Sequence, residues 1–210
     1  MYLETIYRLS ETEEAVRTSA LANALGVSPG AVTNTLASLE RQGLVHRRAY
    51  KGVELSPKGK TEALRVLRRH RLAEQLLTKV LGMNWSEVHD VACRLEHVMT
   101  RELTDAVEKL LRNPKTCPHG NPIPDETGHI RRESSQPLTN FKPNDRAVLV
   151  KITEEKSDML RYLASLGLMP GAVVEVQEKA PFEGPMIVKV MGASYALGRN
   201  VASIVQARRV

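Results

Sequence analysis

Apolar residues recur at helical spacing from the start of the chain. Tyr2, Leu3, Ile6, Tyr7 and Leu9 share one face of a helix that the pattern carries to about Glu14. Thr18 or Ser19 can cap a short second helix with Leu21, Ala22 and Leu25 on one side. Gly26 ends it, because glycine adopts the left-handed backbone at little cost. Ser28 is the next cap and Pro29 occupies the first helical position, where its missing N–H is not needed. The helix that follows runs to about Gln42, with Val32, Leu36 and Leu39 facing inward, and Gly43 stops it. Leu44–Tyr50 reads as a strand, Lys51-Gly52 as a turn and Val53–Leu55 as the return strand. Ser56-Pro57 opens a long helix that reaches about Leu81, before Gly82.

Beyond Gly82 the pattern predicts helices over about 86–98 and 101–112, with Thr100 as the cap between them. Leu95, Val98, Leu103, Val107, Leu110 and Leu111 form an apolar stripe too rich for one small domain, so a homodimer interface is expected. Asn113–Asn140 changes character: Pro114, Pro118, Pro122, Pro124 and Pro137 mark a linker. From Phe141 a second domain is expected, with strands at 147–152, 173–176, 186–190, 194–197 and 204–207 and a helix at 158–166. Several short strands in so few residues indicate a small barrel. The boundaries read 1–60, 61–124, a linker at 125–140, and 141–210.

Composition narrows the class. With 210 residues, 42% hydrophobic and 26% charged, the chain has ordinary globular composition. One Trp, five Tyr and two Phe leave the core mostly aliphatic, and two cysteines cannot make a disulfide scaffold. No apolar run approaches a membrane span and no leader pattern opens the chain, so a cytoplasmic protein with no membrane partner is expected. The net charge of +6 is too small to name a partner by itself. Its distribution is informative: residues 1–40 are net −3, whereas residues 41–60 are net +5. Helix, short helix, glycine turn, helix and basic hairpin is the winged helix-turn-helix order, and the basic block is the end of its second helix plus the wing. Double-stranded DNA is therefore the expected partner. Ser28, Pro29, Ala31, Thr33, Asn34, Ser38 and Arg41 would face base edges or phosphate, and Arg47, Arg48 and Lys51 the flanking backbone.

Two successive helices carry metal-competent side chains. His70 and Glu74 are i, i+4 on the long helix; His89, Cys93, Glu96 and His97 fall within a sector of about 100° on the next, at about 100° per residue. Imidazole, thiolate and carboxylate together suit a first-row divalent ion: Fe(II), Co(II), Ni(II) or Zn(II), with Mn(II) kept open by the carboxylates. A lone histidine or cysteine on a helix is ordinarily packing, and Glu74 could simply pair with Arg71. Leucine, however, is the usual filler of a helix seam, which favours metal. Cys117-Pro118-His119 lies in the proline linker and reads as an incidental pair, and His46 and His129 receive no assignment. Enzymatic readings are weaker. A Cys93–histidine dyad has no evident oxyanion loop. A di-metal carboxylate enzyme wants paired Glu-x-x-His motifs, but here Glu96-His97 are adjacent and His70–Glu74 is inverted. Phosphate-loop, dinucleotide and nucleophile-elbow motifs are missing from the sequence, so no small organic substrate is expected.

The stretches MYLETIY (1–7), ALGVSPGAVTNTLASLERQGLV (24–45), GVELSPKGK (52–60), RRHRLAEQLL (68–77), VHDVACRLEHVM (88–99) and PHGNPIP (118–124) together resemble the diphtheria-toxin-repressor family of metal-dependent regulators. Residues 141–210 resemble that family's SH3-like domain, and LASLGLMPGAVVEVQEKAPFEGP (163–185) is similar to FeoA-type domains. The fold class implied is a mainly α amino-terminal half, a winged helix-turn-helix plus a helical dimerisation domain, followed by a small all-β SH3-like barrel. The resemblance implies an ancillary metal site of His70, Glu74 and His89, completed by Glu155 and Asp158 or by Glu154 and Ser157. It implies a primary site of Met1, Cys93, Glu96 and His97. The matching methionine is residue 1, where family members carry a few residues before it; its thioether, the chain's amine or an upstream start are alternatives. Glu4, one turn later, matches a ligand position of the manganese-type branch, whereas Cys93 matches the iron type. The implied cofactor is Fe(II) first and Mn(II) next.

The expected function is a homodimeric, metal-activated transcriptional repressor that binds a palindromic operator and controls iron or manganese homeostasis genes. A metal bound by helix 1 and the dimerisation helix would bias the two recognition helices toward successive major grooves. The alternatives are a metal-independent winged-helix regulator with a structural metal site, and a metal-handling protein that docks through its FeoA-like domain.

Overall fold

The apolar face at the start of the chain forms α1 (Tyr2–Ser10), which buries Ile6 and Tyr7. In this computed structural model residues 1–11, 15–48, 51–131 and 133–210 are described. α1 stops at Ser10, with Glu11 in the turn after it, short of the expected Glu14; residues 12–14 and the last expected strand residues, Ala49 and Tyr50, lie outside the described residues. α2 (Thr18–Leu25) ends at Gly26, whose φ of 65° is the left-handed conformation expected there. α3 (Pro29–Arg41) begins at Ser28, whose Oγ accepts from the Ala31 amide at 3.3 Å. β1 (Val45–Arg48) and β2 (Gly52–Leu55) pair antiparallel from Val45 opposite Leu55 to Arg48 opposite Gly52. Val16 adds a short bridge to Val53. Ile6, Val16, Leu21, Val32, Leu36, Val45 and Val53 make one aliphatic core.

The chain divides into two compact units, Met1–Arg69 with Pro124–His129, and His70–Ile123 with Ile130–Val210. α4 (Pro57–Lys79) is one uninterrupted helix that carries the chain from the first unit into the second. In the first unit Arg68 donates to the Pro124 carbonyl at 2.8 Å, which returns segment 124–129 to it.

In the second unit α5 spans Val88–Leu95, shorter than the pattern suggested, and α6 spans Arg101–Leu110 behind a Thr100 cap. Leu72, Leu77, Val88, Ala92, Met99, Val107 and Ile123 form their core. The apolar stripe divides: Val107 points into this core, while Val98, Leu103 and Leu110 stay exposed. The carboxy-terminal part is a six-stranded antiparallel sheet of β3 (Gln136–Pro137), β4 (Arg146–Ile152), β5 (Val173–Lys179), β6 (Met186–Val190), β7 (Ala193–Leu197) and β8 (Val205–Arg209), in the order β3-β8-β4-β5-β6-β7. The sheet stays open, with β3 and β7 at its edges, rather than closing as a barrel. The end of the expected linker is therefore an edge strand, with Gln136 opposite Ala207. α7 (Ser157–Ser165) and a short α8 (Arg199–Ile204), absent from the sequence pattern, pack Leu160, Leu163 and Ala202 onto Phe141, Leu149, Val188 and Val205.

The proline-rich stretch between α6 and the sheet is also pinned. Thr116 and Pro122 bridge, the Ile152 amide donates to the His119 carbonyl at 2.9 Å, and Asn121 Nδ2 donates to the Ile152 carbonyl at 2.8 Å. From α4, Arg71 donates to the Pro122 carbonyl and Gln75 to that of Thr116. Gly120 (φ 83°) lies flush on β4, where a Cβ would meet the Val150 carbonyl oxygen at 2.0 Å.

Candidate metal centre and DNA-reading face

His70 and Glu74, one turn apart on α4, are both fully buried. His70 Nε2 donates to Glu74 Oε1 at 3.0 Å and His70 Nδ1 to Glu96 Oε2 at 2.8 Å. Two ring nitrogens facing two carboxylates make His70 an imidazolium. Burial is the largest influence and opposes that charge, but the Glu74 charge and the bonds to Cys93, Glu74 and Glu96 together outweigh it and hold the His70 pKa well above its ordinary value. The same pairing holds the Glu74 carboxyl well below its ordinary range against the cost of burial.

From α5, His89 Nδ1 lies 3.1 Å from His70 Nε2, 3.3 Å from Glu74 Oε1 and 3.5 Å from Glu155 Oε2. Its Nε2 is 3.7 Å from Cys93 Sγ, one helical turn on. Burial works to lower the His89 pKa, but its bonds to Cys93 and Glu74 and the Glu155 charge push it up to about 9. Burial raises the Cys93 thiol, and the bonds to His70 and His89 more than offset this, bringing it to about 7.

A second donor set meets the first. Cys117 and His119, which the sequence suggested were incidental, are buried beside Glu74 and Glu155. His119 Nδ1 lies 3.5 Å from Glu74 Oε1 and 3.6 Å from Glu155 Oε1, and Cys117 Sγ is 3.9 Å from His119 Nδ1. His119 Nε2 donates to the Trp85 carbonyl at 2.8 Å, which leaves Nδ1 as the nitrogen aimed into the cluster. Asn121 Nδ2 holds Glu155 Oε1 at 2.8 Å.

The described residues thus offer His70, Glu74, His89 and Glu155 as one set, and Glu74, Cys117, His119 and Glu155 as another, the donor atoms of each set lying within 4.8 Å of one another. Transition-metal bonds of about 2.0–2.3 Å to N, O and S bridge donors up to about 4 Å apart, so small side-chain rotations close either set. Glu74 Oε2 is buried without a hydrogen-bond partner, a cost of about 1–3 kcal/mol that a cation would remove. The residues fit a divalent metal.

Other expected ligands fall elsewhere. His97 is 64% exposed and its Nε2 is 3.8 Å from Glu96 Oε1. Asp158 projects into solvent at the start of α7 and pairs with Arg161, and Glu154 pairs with Lys156 at 2.7 Å, so Glu155 alone of this segment joins the cluster. In the first unit, Met1 is exposed as the cap of α1, and Glu4 is buried with Arg8 at 2.7 Å. The local signal for the missed pair was the Cys-x-His spacing, whose value depends on what the loop packs against.

Comparison with known proteins agrees with this geometry. Residues 1–53 match the family model "Iron dependent repressor, N-terminal DNA binding domain", 56–125 match "Iron dependent repressor, metal binding and dimerisation domain", and 136–209 match "FeoA domain". The chain is 34% identical to the Iron-dependent repressor IdeR of Mycobacterium tuberculosis over all of this chain and 96% of that protein. The chain belongs to the iron-dependent repressor family. It is also 35% identical to the Diphtheria toxin repressor of Corynebacterium diphtheriae, over 85% of this chain and 84% of that one. Among solved structures it resembles a manganese-dependent transcriptional repressor in complex with manganese, at a TM-score of 0.92 and 32% identity over 100% of this chain and 98% of that one. It is thus a metal-responsive, DNA-binding, dimerising repressor and not an enzyme. No helix among the described residues is long and apolar enough to cross a membrane.

The candidate DNA-reading face lies on α3 and the wing, within the matched DNA-binding domain. Several expected contact residues are engaged within the unit: Thr33 Oγ1 donates to the Pro29 carbonyl at 2.9 Å, Ser38 Oγ accepts from Gln42 Nε2 at 3.2 Å, and Arg41 Nε donates to the Ala37 carbonyl at 3.4 Å. Arg47 Nη2 donates to the Thr33 carbonyl at 3.2 Å and its Nε pairs with Glu40 at 3.3 Å, so it ties the wing to α3. Arg48 pairs with Glu54 at 2.9 Å. Ala31 and Asn34 are exposed side by side on α3, and Lys51 is exposed at the wing turn.

Proposed function

We propose that Fe(II), with Mn(II) the next candidate, switches this repressor through the buried cluster of the second unit, and that the loaded homodimer binds a palindromic operator near metal-uptake genes in the cytoplasm. The observation that carries this reading is the convergence of imidazole, carboxylate and thiol donors from α4, α5, the 116–123 loop and the segment before α7 onto Glu74 and Glu155. A bound divalent ion supplies the positive charge that holds these four segments in one arrangement. His70, His89 and His119 release protons as they turn from donors to the carboxylates into ligands. Glu74 keeps its negative charge throughout. Cys93, Glu96 and His97 of the second unit, and Met1 and Glu4 of the first, are each proposed to take part in metal binding, as the family resemblance implies. Imidazole and thiol donors favour Fe(II), and the carboxylates keep Mn(II) next.

A coupling of about 1–3 kcal/mol between metal and operator is enough to change DNA affinity about 5- to 150-fold. The contacts proposed for DNA are Ser28, the cap of α3, Pro29, Ala31, Thr33, Asn34, Ser38 and Arg41 on α3, and Arg47, Arg48 and Lys51 on the wing; all but the half-buried Ser38 are exposed, which supports them. The test is operator binding by fluorescence anisotropy under anaerobic conditions with Fe(II), Mn(II), Co(II) or Zn(II). Binding should require metal and be strongest with Fe(II); affinity untouched by chelator overturns the switch. Cys93→Ala with Glu96→Ala should abolish activation, and full retention would remove those two from the ligand set.

A further inference from the structure

We propose that Glu40 is a positioning residue for DNA binding: it holds Arg47 of the wing against α3, so that Arg47 meets a phosphate with one fixed nitrogen and the wing keeps one angle to α3. This rests on the reading that α3 and the wing touch the operator, and goes beyond it by giving a role to an acidic side chain on that face.

Strand geometry turns Arg47 toward α3. Side chains alternate along β1, so Arg47 shares a face with Val45, which is buried in the core of the first unit, and stands opposite Val53, also buried. On that side Arg47 meets two groups of α3. Its Nη2 donates to the Thr33 carbonyl at 3.2 Å, and its Nε pairs with Glu40 Oε2 at 3.3 Å. The other carboxylate oxygen, Glu40 Oε1, accepts from the Arg47 backbone amide at 3.3 Å. That amide has no strand partner, because Val53 opposite it exchanges both its backbone bonds with Val16. Glu40 therefore grips the side chain and the main chain of one wing residue. Among the described residues Arg47 Nη1 has no partner, so it is the nitrogen left to face a phosphate.

Charge alone argues against an acid here. Glu40 lies in the last turn of α3, where the helix dipole disfavours a negative charge, and beside cations expected to meet a polyanion. Positioning acts in the opposite direction. An arginine fixed in advance loses less conformational freedom on binding than a mobile one, so its contact adds more affinity. Repulsion from Glu40 weakens binding to any duplex, whereas positioning strengthens binding only where the backbone path fits the wing. The two effects differ in sign and can be measured apart.

The test compares full-length Glu40→Gln, Arg47→Ala and the double variant by fluorescence anisotropy in one anaerobic buffer with saturating Co(II). The probes are a duplex selected by the unmodified protein from a random-sequence pool and a scrambled duplex of the same length. Glu40→Gln should weaken the selected duplex about 2- to 10-fold per protomer, the effect of freeing one long side chain, and tighten the scrambled one. In the Arg47→Ala background the same change should no longer weaken the selected duplex. Glu40→Asp, which keeps the charge but shortens the reach, should weaken the selected duplex as well, and it decides the question should Glu40→Gln not fold. Arg47→Ala alone should reduce the slope of log affinity against log salt by about 0.9 per protomer, the signature of one phosphate contact. A selected-to-scrambled ratio that Glu40→Gln leaves unchanged or raises overturns the positioning role and leaves the DNA-reading face standing. Unchanged affinity and slope in Arg47→Ala removes Arg47 from that face and overturns both.

Discussion

Gly120→Ala probes how the metal loop is held on the sheet. At φ 83° an alanine pays about 1–2 kcal/mol for the left-handed backbone. The added Cβ would sit 2.0 Å from the Val150 carbonyl oxygen and 2.8 Å from Lys151 Cα. Both neighbours are backbone of a paired strand, so no side-chain rotation relieves the overlap. Either the clash persists, at the cost of overpacking, about 1–3 kcal/mol, or the loop lifts. Lifting breaks the bond from the Ile152 amide to His119 and that from Asn121 to Ile152, each worth about 1 kcal/mol. The expected destabilisation is about 2–5 kcal/mol. Gly82→Ala is the control: φ is 68° but nothing lies within 4 Å, so only the backbone cost of about 1–2 kcal/mol applies. Urea denaturation of chelator-treated protein reads the difference, and a parallel Co(II) titration should show weaker binding in Gly120→Ala alone. Equal stability of the two variants would refute the claim that the loop seats on β4 through this glycine.

Other expectations follow from the same structure. Metal affinity should rise with pH, because His89, with a pKa of about 9, must lose its proton to bind; each unit of acidification below 9 weakens binding about tenfold for that proton. The chelator-treated fold should show the opposite trend: its folded-state pKa is raised, so the stabilisation from charged His89 is complete below 6.5 and lost as pH rises through about 9. Chelator competition and melting curves from pH 6 to 9 check both, and a flat affinity profile would remove His89 as a ligand. Asn34→Ala should erase selectivity for one adenine per half-site, about 1–3 kcal/mol, since a carboxamide can bond adenine N6 and N7 together; unaltered preference in an operator-variant panel would exclude Asn34 from base reading. Leu110→Glu should turn the dimer into monomer in sedimentation velocity, because this leucine is 62% exposed on α6, and a dimer of undiminished affinity would place the interface elsewhere.

Local chemistry made the amino-terminal reading legible. Ser28, Pro29, Gly26 and the apolar spacing of Val32 and Leu36 act within one or two turns, so the two helices and the wing follow from near neighbours. His70 and Glu74 were legible for the same reason. Ideal helical angles placed His97 beside Glu96, but α5 ends at Leu95, so the extrapolation failed beyond that residue: Glu96 is buried and His97 is not. Glu155 was legible only as one of two registers, because nothing local separates it from Glu154; α7 starts at Ser157, and only Glu155 turns toward His89.

The sequence by itself determined the helix-turn-helix, the basic wing, the exposed apolar face of α6 and the cluster of candidate ligands on α4 and α5, all through interactions that span a few residues. The tertiary structure decided that Cys117 and His119 lie buried beside Glu74 and Glu155, that the prolines around them pin a loop rather than mark a linker, and that Glu74 and Glu155 stand between two donor sets. These depend on contacts more than 30 residues apart, His119 with Ile152 and Trp85, Asn121 with Glu155, and Glu74 with His119. Such pairings carry no local periodicity; they exist because a loop with no side chain at Gly120 can lie against the backbone of β4.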